Sequence, residues 1–187
     1  MIKRILLTSL AIGLMITSCE TEVVYDANQL LAEETASIRD YLSERDIEVE
    51  EHPDGFFYRV IYGGDDTRAQ NLDWVDFDLS LYDLDDVLYF STDSGLELRS
   101  GIKPPYFGPS FEIIISNSPN KRPLEAIYDI AELIGVGGVI EAYVPSNMAY
   151  GLAGYVTSIG GHSGIRRINI PPNLVVRIVA KITQISQ

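Results

Sequence analysis

Gly137-Gly138-Val139-Ile140-Glu141-Ala142-Tyr143-Val144-Pro145-Ser146-Asn147-Met148-Ala149-Tyr150-Gly151 is the stretch on which the fold of this chain turns. Its opening glycines, with Gly135, end a helix. Val139 to Val144 then reads as a strand, because β-branched and aromatic residues fill it. A second stretch, Ile170-Pro171-Pro172-Asn173, leads directly into an amphipathic strand from Leu174 to Ile185. There Val176, Ile178, Ala180 and Ile182 alternate with Arg177, Val179, Lys181 and Thr183, the period of a strand with one buried face.

Working outward, Pro123 opens the helix that the glycines close, as proline suits a first helical position. Leu124, Ile127, Ala131 and Ile134 form its apolar face. Phe111 to Ile115 reads as the strand before it, and a long loop with Pro104, Pro105 and Pro109 precedes that strand. Val75, Phe77, Leu79 and Leu81 alternate with Asp76, Asp78 and Ser80, a half-buried strand, and Asp83 to Asp86 turns the chain into Val87-Leu88-Tyr89-Phe90. Further back, Ile47 and Val49 precede the turn sequence His52-Pro53-Asp54-Gly55, and Phe56 to Tyr62 follows as an aromatic strand ending at Gly63-Gly64. From Asp26 to about Arg45 the pattern is helical. Leu30, Leu31, Ile38, Tyr41 and Leu42 make a narrow face with Glu33, Glu34, Arg39 and Glu44 between them, and Asp26 with Gln29 fits a capping box. Strands with one central helix give an α+β class. Gly151 to Asn169, with Gly154, Gly160, Gly161 and Gly164, reads as a loop.

Composition sets the outer limits. The chain has 187 residues, 46% apolar, 22% charged and 10% aromatic, which fits one domain or one domain with an extension. Its net charge of -13 repels phosphate backbones and argues against nucleic acid as a partner. Two histidines and one cysteine build neither a zinc site of the usual Cys/His kind nor an internal disulfide. Asp83, Asp85 and Asp86 lack the glycine and distal glutamate of a calcium loop, which leaves a solvated turn. Gly135-Val136-Gly137-Gly138 follows a helix rather than a strand, which argues against a nucleotide loop.

Residues 1–18 have the form of a secretory signal: Lys3 and Arg4, then an apolar run from Ile5 to Ile16 too short to span a bilayer permanently. The run ends in Ile16-Thr17-Ser18-Cys19, which resembles a bacterial lipobox. An ordinary signal peptide with a chance cysteine, or a buried N-terminal helix, is the alternative. Cleavage before Cys19 leaves 12 basic against 27 acidic residues, a net charge of -15. Acyl chains on Cys19 then tether the protein to a membrane, each buried methylene adding about 0.8 kcal/mol. The expected location is the periplasmic face or the cell surface of a Gram-negative envelope.

Ala149-Tyr150-Gly151 after a strand and proline, Ile170-Pro171-Pro172, and the closing amphipathic strand together resemble the FKBP-type peptidyl-prolyl isomerases. The resemblance covers roughly residues 72–187, with 19–71 as a tether plus a helix-and-strand extension. The extension itself looks like that of exported lipoprotein members. The resemblance implies an antiparallel five-stranded sheet curled around one helix, an apolar pocket between them, and catalysis without metal or cofactor. It implies proline-containing, unfolded or partly folded envelope proteins as clients. Residue by residue, Tyr150 matches the pocket tyrosine whose hydroxyl bonds the substrate. Phe111 matches an aromatic wall, and Leu124 the residue whose backbone amide points into the pocket. Ile127 stands where the family has its tryptophan floor, and Ile178 replaces a phenylalanine. In the first strand pair Leu79 takes an aromatic position, and Tyr89-Phe90 replaces the family's Phe-Asp pair. The pocket aspartate is therefore missing, with Asp86 and Asp93 as the nearest acids. His162 stands where the family often has a histidine.

Two readings stay open. Tyr150 is either a pocket donor or a corner tyrosine, and Phe111, Leu124, Ile127 and Ile178 suit pocket lining and plain core equally. The function implied is a prolyl isomerase and folding helper, or a non-catalytic FKBP-like chaperone or scaffold that binds extended chains. For the tether, Cys19→Ala expressed as the full precursor is expected to keep residues 1–18 and take up no palmitate, as read by mass spectrometry of the membrane fraction.

Overall fold

The computed structural model describes residues 26–92, 111–114, 124–161 and 164–187. Helix α1 (Ala27–Glu44) is followed by strands β1 (Glu50–Glu51), β2 (Phe57–Tyr62), β3 (Trp74–Tyr82), β4 (Leu88–Ser91) and β5 (Phe111–Ile114). Helix α2 (Ala126–Leu133), β6 (Val139–Val144), β7 (Tyr155–Gly161), β8 (Gly164–Ile170) and β9 (Val176–Ser186) complete the chain.

Seven strands form one antiparallel sheet in the order β1-β2-β6-β9-β3-β4, with β5 also on β3. Strand β3 organises it. One edge of β3 pairs with β9 from Trp74 to Tyr82, and the other is shared between β5 at Trp74–Phe77 and β4 at Ser80–Tyr82. The alternating Val75, Phe77, Leu79 and Leu81 are all fully buried, as their period requires. They meet Ile140, Ala142 and Val144 of β6, Val176, Ile178, Ala180 and Ile182 of β9, and Ile127, Ile130 and Ala131 of α2 in the main core.

The opposite face of β6 is used as well. Tyr143 points there, opposite Phe57 in the neighbouring strand, and both pack under Ile38, Tyr41 and Leu42 of α1. The start of α1 is capped by Asp26, whose Oδ1 accepts from the backbone N–H of Asn28 and Gln29 at 3.0 and 3.3 Å. The capping box is only half formed, because the Gln29 side chain donates to Glu33 at 2.8 Å instead of returning to the cap. The buried stripe of α1 is Glu34, Ile38, Tyr41 and Leu42, so a carboxylate occupies a place that the apolar pattern alone puts between the buried positions.

Three sequence expectations change. The α+β antiparallel fold with an N-terminal helix-and-strand extension is as expected, but the described residues place seven strands in the sheet, because β2 pairs with β6 from Phe57↔Tyr143 to Tyr62↔Val139. The strand of the 26–64 segment is thus built into the sheet, where it covers an edge of β6 that would otherwise expose unpaired backbone. The segment 151–169 is largely a hairpin, β7 with β8. Its glycines suggest loop, but Tyr155, Val156 and Thr157 against Ile168 and Ile170 supply strand-forming residues on both sides. Within the helix expected at 123–134, α2 spans Ala126–Leu133, and Pro123 lies outside the described residues.

Ile38 is fully buried between α1 and the sheet. Ile38→Ala is expected to lower unfolding free energy by about 2–5 kcal/mol in urea titrations. Arg39→Ala removes an exposed ion pair with Glu51 and a guanidinium lying 5.3 Å from the Phe57 ring centroid, and should cost about 1 kcal/mol in the same measurement, well short of the Ile38 change.

Candidate functional site

Pro145 ends β6, and the chain enters a 3-10 turn at Ser146–Met148 closed by Met148 N–H to Pro145 O (3.1 Å) and Ala149 N–H to Ser146 O (3.0 Å). A second such turn, Gly151–Ala153, follows, and Tyr150 stands between the two. The Tyr150 ring is stacked on Tyr155 at 5.3 Å between centroids and 28° between planes. Asn173 N–H donates to Gly151 O at 3.0 Å, which brings the Ile170-Pro171-Pro172 loop against the Tyr150 corner. Gly154 makes this approach possible: its φ is +63°, and a Cβ there would collide with the Ile170 carbonyl and the Pro171 backbone. Two stretches about twenty residues apart in sequence are therefore one corner of the structure.

Tyr150 and Tyr155 pack on the main core, which contains Leu124, Ile127 and Ile178, each fully buried. Leu124 is held with φ +72°, and its N–H donates to Ala149 O at 2.7 Å. The expectation that this amide points at a ligand is corrected, because its hydrogen is already spent on the Tyr150 loop. Phe111 begins β5 opposite Phe77, and its side chain lies outside the described residues. Tyr89 is half-buried against the same core, and its hydroxyl donates to Asp83 at 3.4 Å. Leu79 and Phe90 are core residues. Asp86 turns away from the core face with φ +63° and binds Arg177 at 2.7 Å, so it does not replace the missing pocket acid. Asp93, His162 and Cys19 lie outside the described residues. Asp83 behaves as a turn cap, its Oδ1 accepting from the N–H of Asp85 and Val87 at 2.9 and 2.8 Å.

Several polar groups were not legible in the sequence. Ser80 and Ser91 share a buried hydrogen bond of 2.7 Å, and Thr92 Oγ1 accepts from Leu79 N–H at 2.7 Å. Glu141 lies between two arginines, Arg59 Nε at 2.6 Å and Arg177 Nη1 at 3.0 Å. Tyr155 alone had a readable signal, an aromatic residue just after Ala-Tyr-Gly, masked by the surrounding glycines.

The described side chains best placed to approach a cation are His52, Asp54 and Asp129, with ligand atoms up to 4.8 Å apart. Within this group His52 Nδ1 lies 3.4 Å from Asp54 Oδ2 and accepts from Asp54 N–H at 3.3 Å, so the two residues are already joined through their own turn. A cleft of about 360 Å³ lies elsewhere, lined by Asp66, Arg68, Asp73 and Ile185 among others and by none of the Tyr150 corner.

The chain has the fold of the FKBP-type peptidyl-prolyl isomerases. Among solved structures it is similar to FkpA from Escherichia coli, with a TM-score of 0.56 and 17% identity over 85% of this chain and 62% of that one. It therefore spans less than two thirds of the length of FkpA. A peptidyl-prolyl cis-trans isomerase from Pseudomonas syringae pv. tomato matches with a TM-score of 0.56 and 13% identity over 87% of this chain and 98% of that one. The N-terminal domain of FKBP42 from Arabidopsis thaliana gives 0.51 and 12%, over 75% and 93%. No family model and no curated protein matches the sequence.

Burial, with the neighbouring Tyr155 next, pushes the Tyr150 hydroxyl above its ordinary value, and burial with the Glu141 charge does the same for Tyr143. The folded state thus favours neutral tyrosine. The stability this contributes is complete below pH of about 10 and is lost as pH rises past that value toward the folded-state pKa values. Ultraviolet titration is expected to show tyrosines ionising later in the folded chain than in urea, with one late transition removed by Tyr150→Phe.

Proposed function

We propose that the chain is an exported, lipid-tethered prolyl isomerase and folding helper, acting on X-Pro bonds of unfolded or partly folded envelope proteins. The observation that carries this is the Tyr150 corner. A neutral hydroxyl on a partly buried tyrosine stands on a hydrogen-bonded loop against the apolar core, in a fold shared with proteins described as peptidyl-prolyl isomerases. The tether rests on the Ile16-Thr17-Ser18-Cys19 pattern.

The chemistry breaks no bond. Resonance sets a rotation barrier of about 18–20 kcal/mol, and resonance is lost when the amide is twisted. An apolar surface suits the twisted amide, whose dipole is smaller, better than the planar one, and so lowers the barrier selectively. Both X-Pro isomers are populated and exchange slowly, so such a surface has work to do. Tyr150 would donate to the carbonyl of the turning bond. One neutral hydrogen bond contributes about 0.5–1.5 kcal/mol, or roughly tenfold at most, so the apolar surface must supply most of the acceleration.

A second reading is a non-catalytic module that holds extended chains. It is favoured by the Leu124 amide being taken by Ala149 and by Asp86 being taken by Arg177, which removes two groups that could act on a bound amide. The test is prolyl cis/trans exchange in a short Xaa-Pro peptide, followed by NMR with the purified full chain. Acceleration, reduced about two- to tenfold by Tyr150→Phe, supports the isomerase. A folded chain that accelerates nothing but still retards aggregation of an unfolded, proline-containing client supports the holding module and overturns the isomerase.

A further inference from the structure

The N-terminal helix reaches the Tyr150 corner through one carboxylate. Glu34 is 6% exposed, and its Oε2 accepts the backbone N–H of Ser146 at 2.8 Å across 112 residues of sequence. Ser146 is itself 1% exposed and opens the 3-10 turn that ends at Met148. The residue before that turn is Pro145, which has no side-chain oxygen and makes no cap. The N–H at the start of the turn is therefore satisfied from another element, by a carboxylate oxygen of α1.

The link continues beyond the turn. Ala149 N–H returns to Ser146 O at 3.0 Å, and Ala149 O accepts from Leu124 N–H at 2.7 Å. The next residue is Tyr150, stacked on Tyr155. Three buried side chains, Ile38, Tyr41 and Leu42, already hold α1 on the sheet. A buried carboxylate is a costly addition to that contact, and among the described residues the second oxygen of Glu34 has no hydrogen-bond partner. What it adds that an apolar residue cannot is a fixed position for Ser146.

We propose that Glu34 is a positioning residue for Tyr150: α1 supplies, through this carboxylate, the cap that sets the Tyr150 loop. The functional part of this inference rests on the isomerase reading above. The structural part, that Glu34 orders residues 146–150, stands apart from it.

The test compares Glu34→Gln, which keeps an acceptor oxygen, with Glu34→Met, which removes it at similar length. The full chain is used, and Ile38→Ala serves as a control for general loosening of α1. Amide hydrogen exchange is expected to show Ser146 and Ala149 losing protection about tenfold in E34M but not in E34Q, relative to core amides of β3. In the peptide exchange assay, E34M should lower kcat about two- to tenfold, by no more than Tyr150→Phe does, with KM little changed, since displaced groups cost rate more than binding. E34Q should restore kcat to within about twofold, and I38A should reduce stability without this kcat loss. If E34M does not fold, Glu34→Asp, one methylene short, should show the same pattern. An unchanged kcat and unchanged Ser146 protection in a folded E34M or E34D chain overturns the proposal. If the unmodified chain shows no turnover, the isomerase reading fails, and the exchange data alone decide whether Glu34 orders the loop.

Discussion

The structure depends on β6 being buried on both faces at once. From Ile140 to Val144 every side chain of this strand is buried. A strand in a sheet open on one side would alternate, and β6 does not, because α2 covers one face while α1 covers the other. Ile140, Ala142 and Val144 belong to the main core, and Tyr143 belongs to the smaller one beneath α1. Glu141 faces the α1 side too, and a lone buried carboxylate there would be strongly unfavourable. Arg59 and Arg177 each take one of its oxygens, and Arg177 extends the pairing to Asp86 and lies over the Tyr82 ring at 4.3 Å. Burial works against the Arg177 charge, but its hydrogen bond to Glu141 and the acidic groups around it outweigh this and push its pKa up. The arrangement ties β2, β6, β9 and the β3–β4 turn together on the face opposite α2.

This double coverage explains why the N-terminal segment does not behave as an appendage. Its helix supplies half of the second core, its strand pairs with β6, and Glu34 reaches the turn before Tyr150. The candidate site is accordingly held from three directions: by Leu124, two residues before α2, by the Ile-Pro-Pro loop through Asn173, and by α1 through Ser146. A surface loop of this kind is usually one of the looser parts of a domain. Here its backbone groups are bonded to elements that are far apart in the chain.

The fold was legible where periodicity is strong. Val75 to Leu81 and Val176 to Ile182 alternate without interruption, and the helix ending at the Gly135–Gly138 cluster shows its apolar face plainly. The Ala149-Tyr150-Gly151 and Ile170-Pro171-Pro172 stretches pointed to the corner that the structure builds. What could not be read were contacts set by register and tertiary approach. Nothing local to Phe57–Tyr62 says that it pairs with a strand about eighty residues later. The glycines of 154–164 imitate a loop because turn chemistry and hairpin chemistry use the same residues. Glu34 reads as a surface charge until Ser146 is seen beside it, and the Leu124 amide reads as available until Ala149 is seen accepting from it.

One consequence concerns association between copies of the chain. Among the described residues strand β1 pairs with Phe57 and Tyr58 alone, so the outer edge of β2 continues past it with Val60, Ile61 and Tyr62 at 42%, 56% and 62% exposure. An apolar strand edge of this kind is a template on which a second molecule can add its own backbone, the first step toward aggregates. Two features oppose it. The pairing of β2 with β6 slips between Val60 and Tyr62, and the irregularity bends the edge out of the flat register that an incoming strand needs. The net charge of -13 also keeps identical chains apart, more weakly as salt rises. The irregularity in the sheet thus works with the charge against edge-to-edge association, and a substitution that straightened β2 would strengthen the domain's own pairing while making it stickier to its copies.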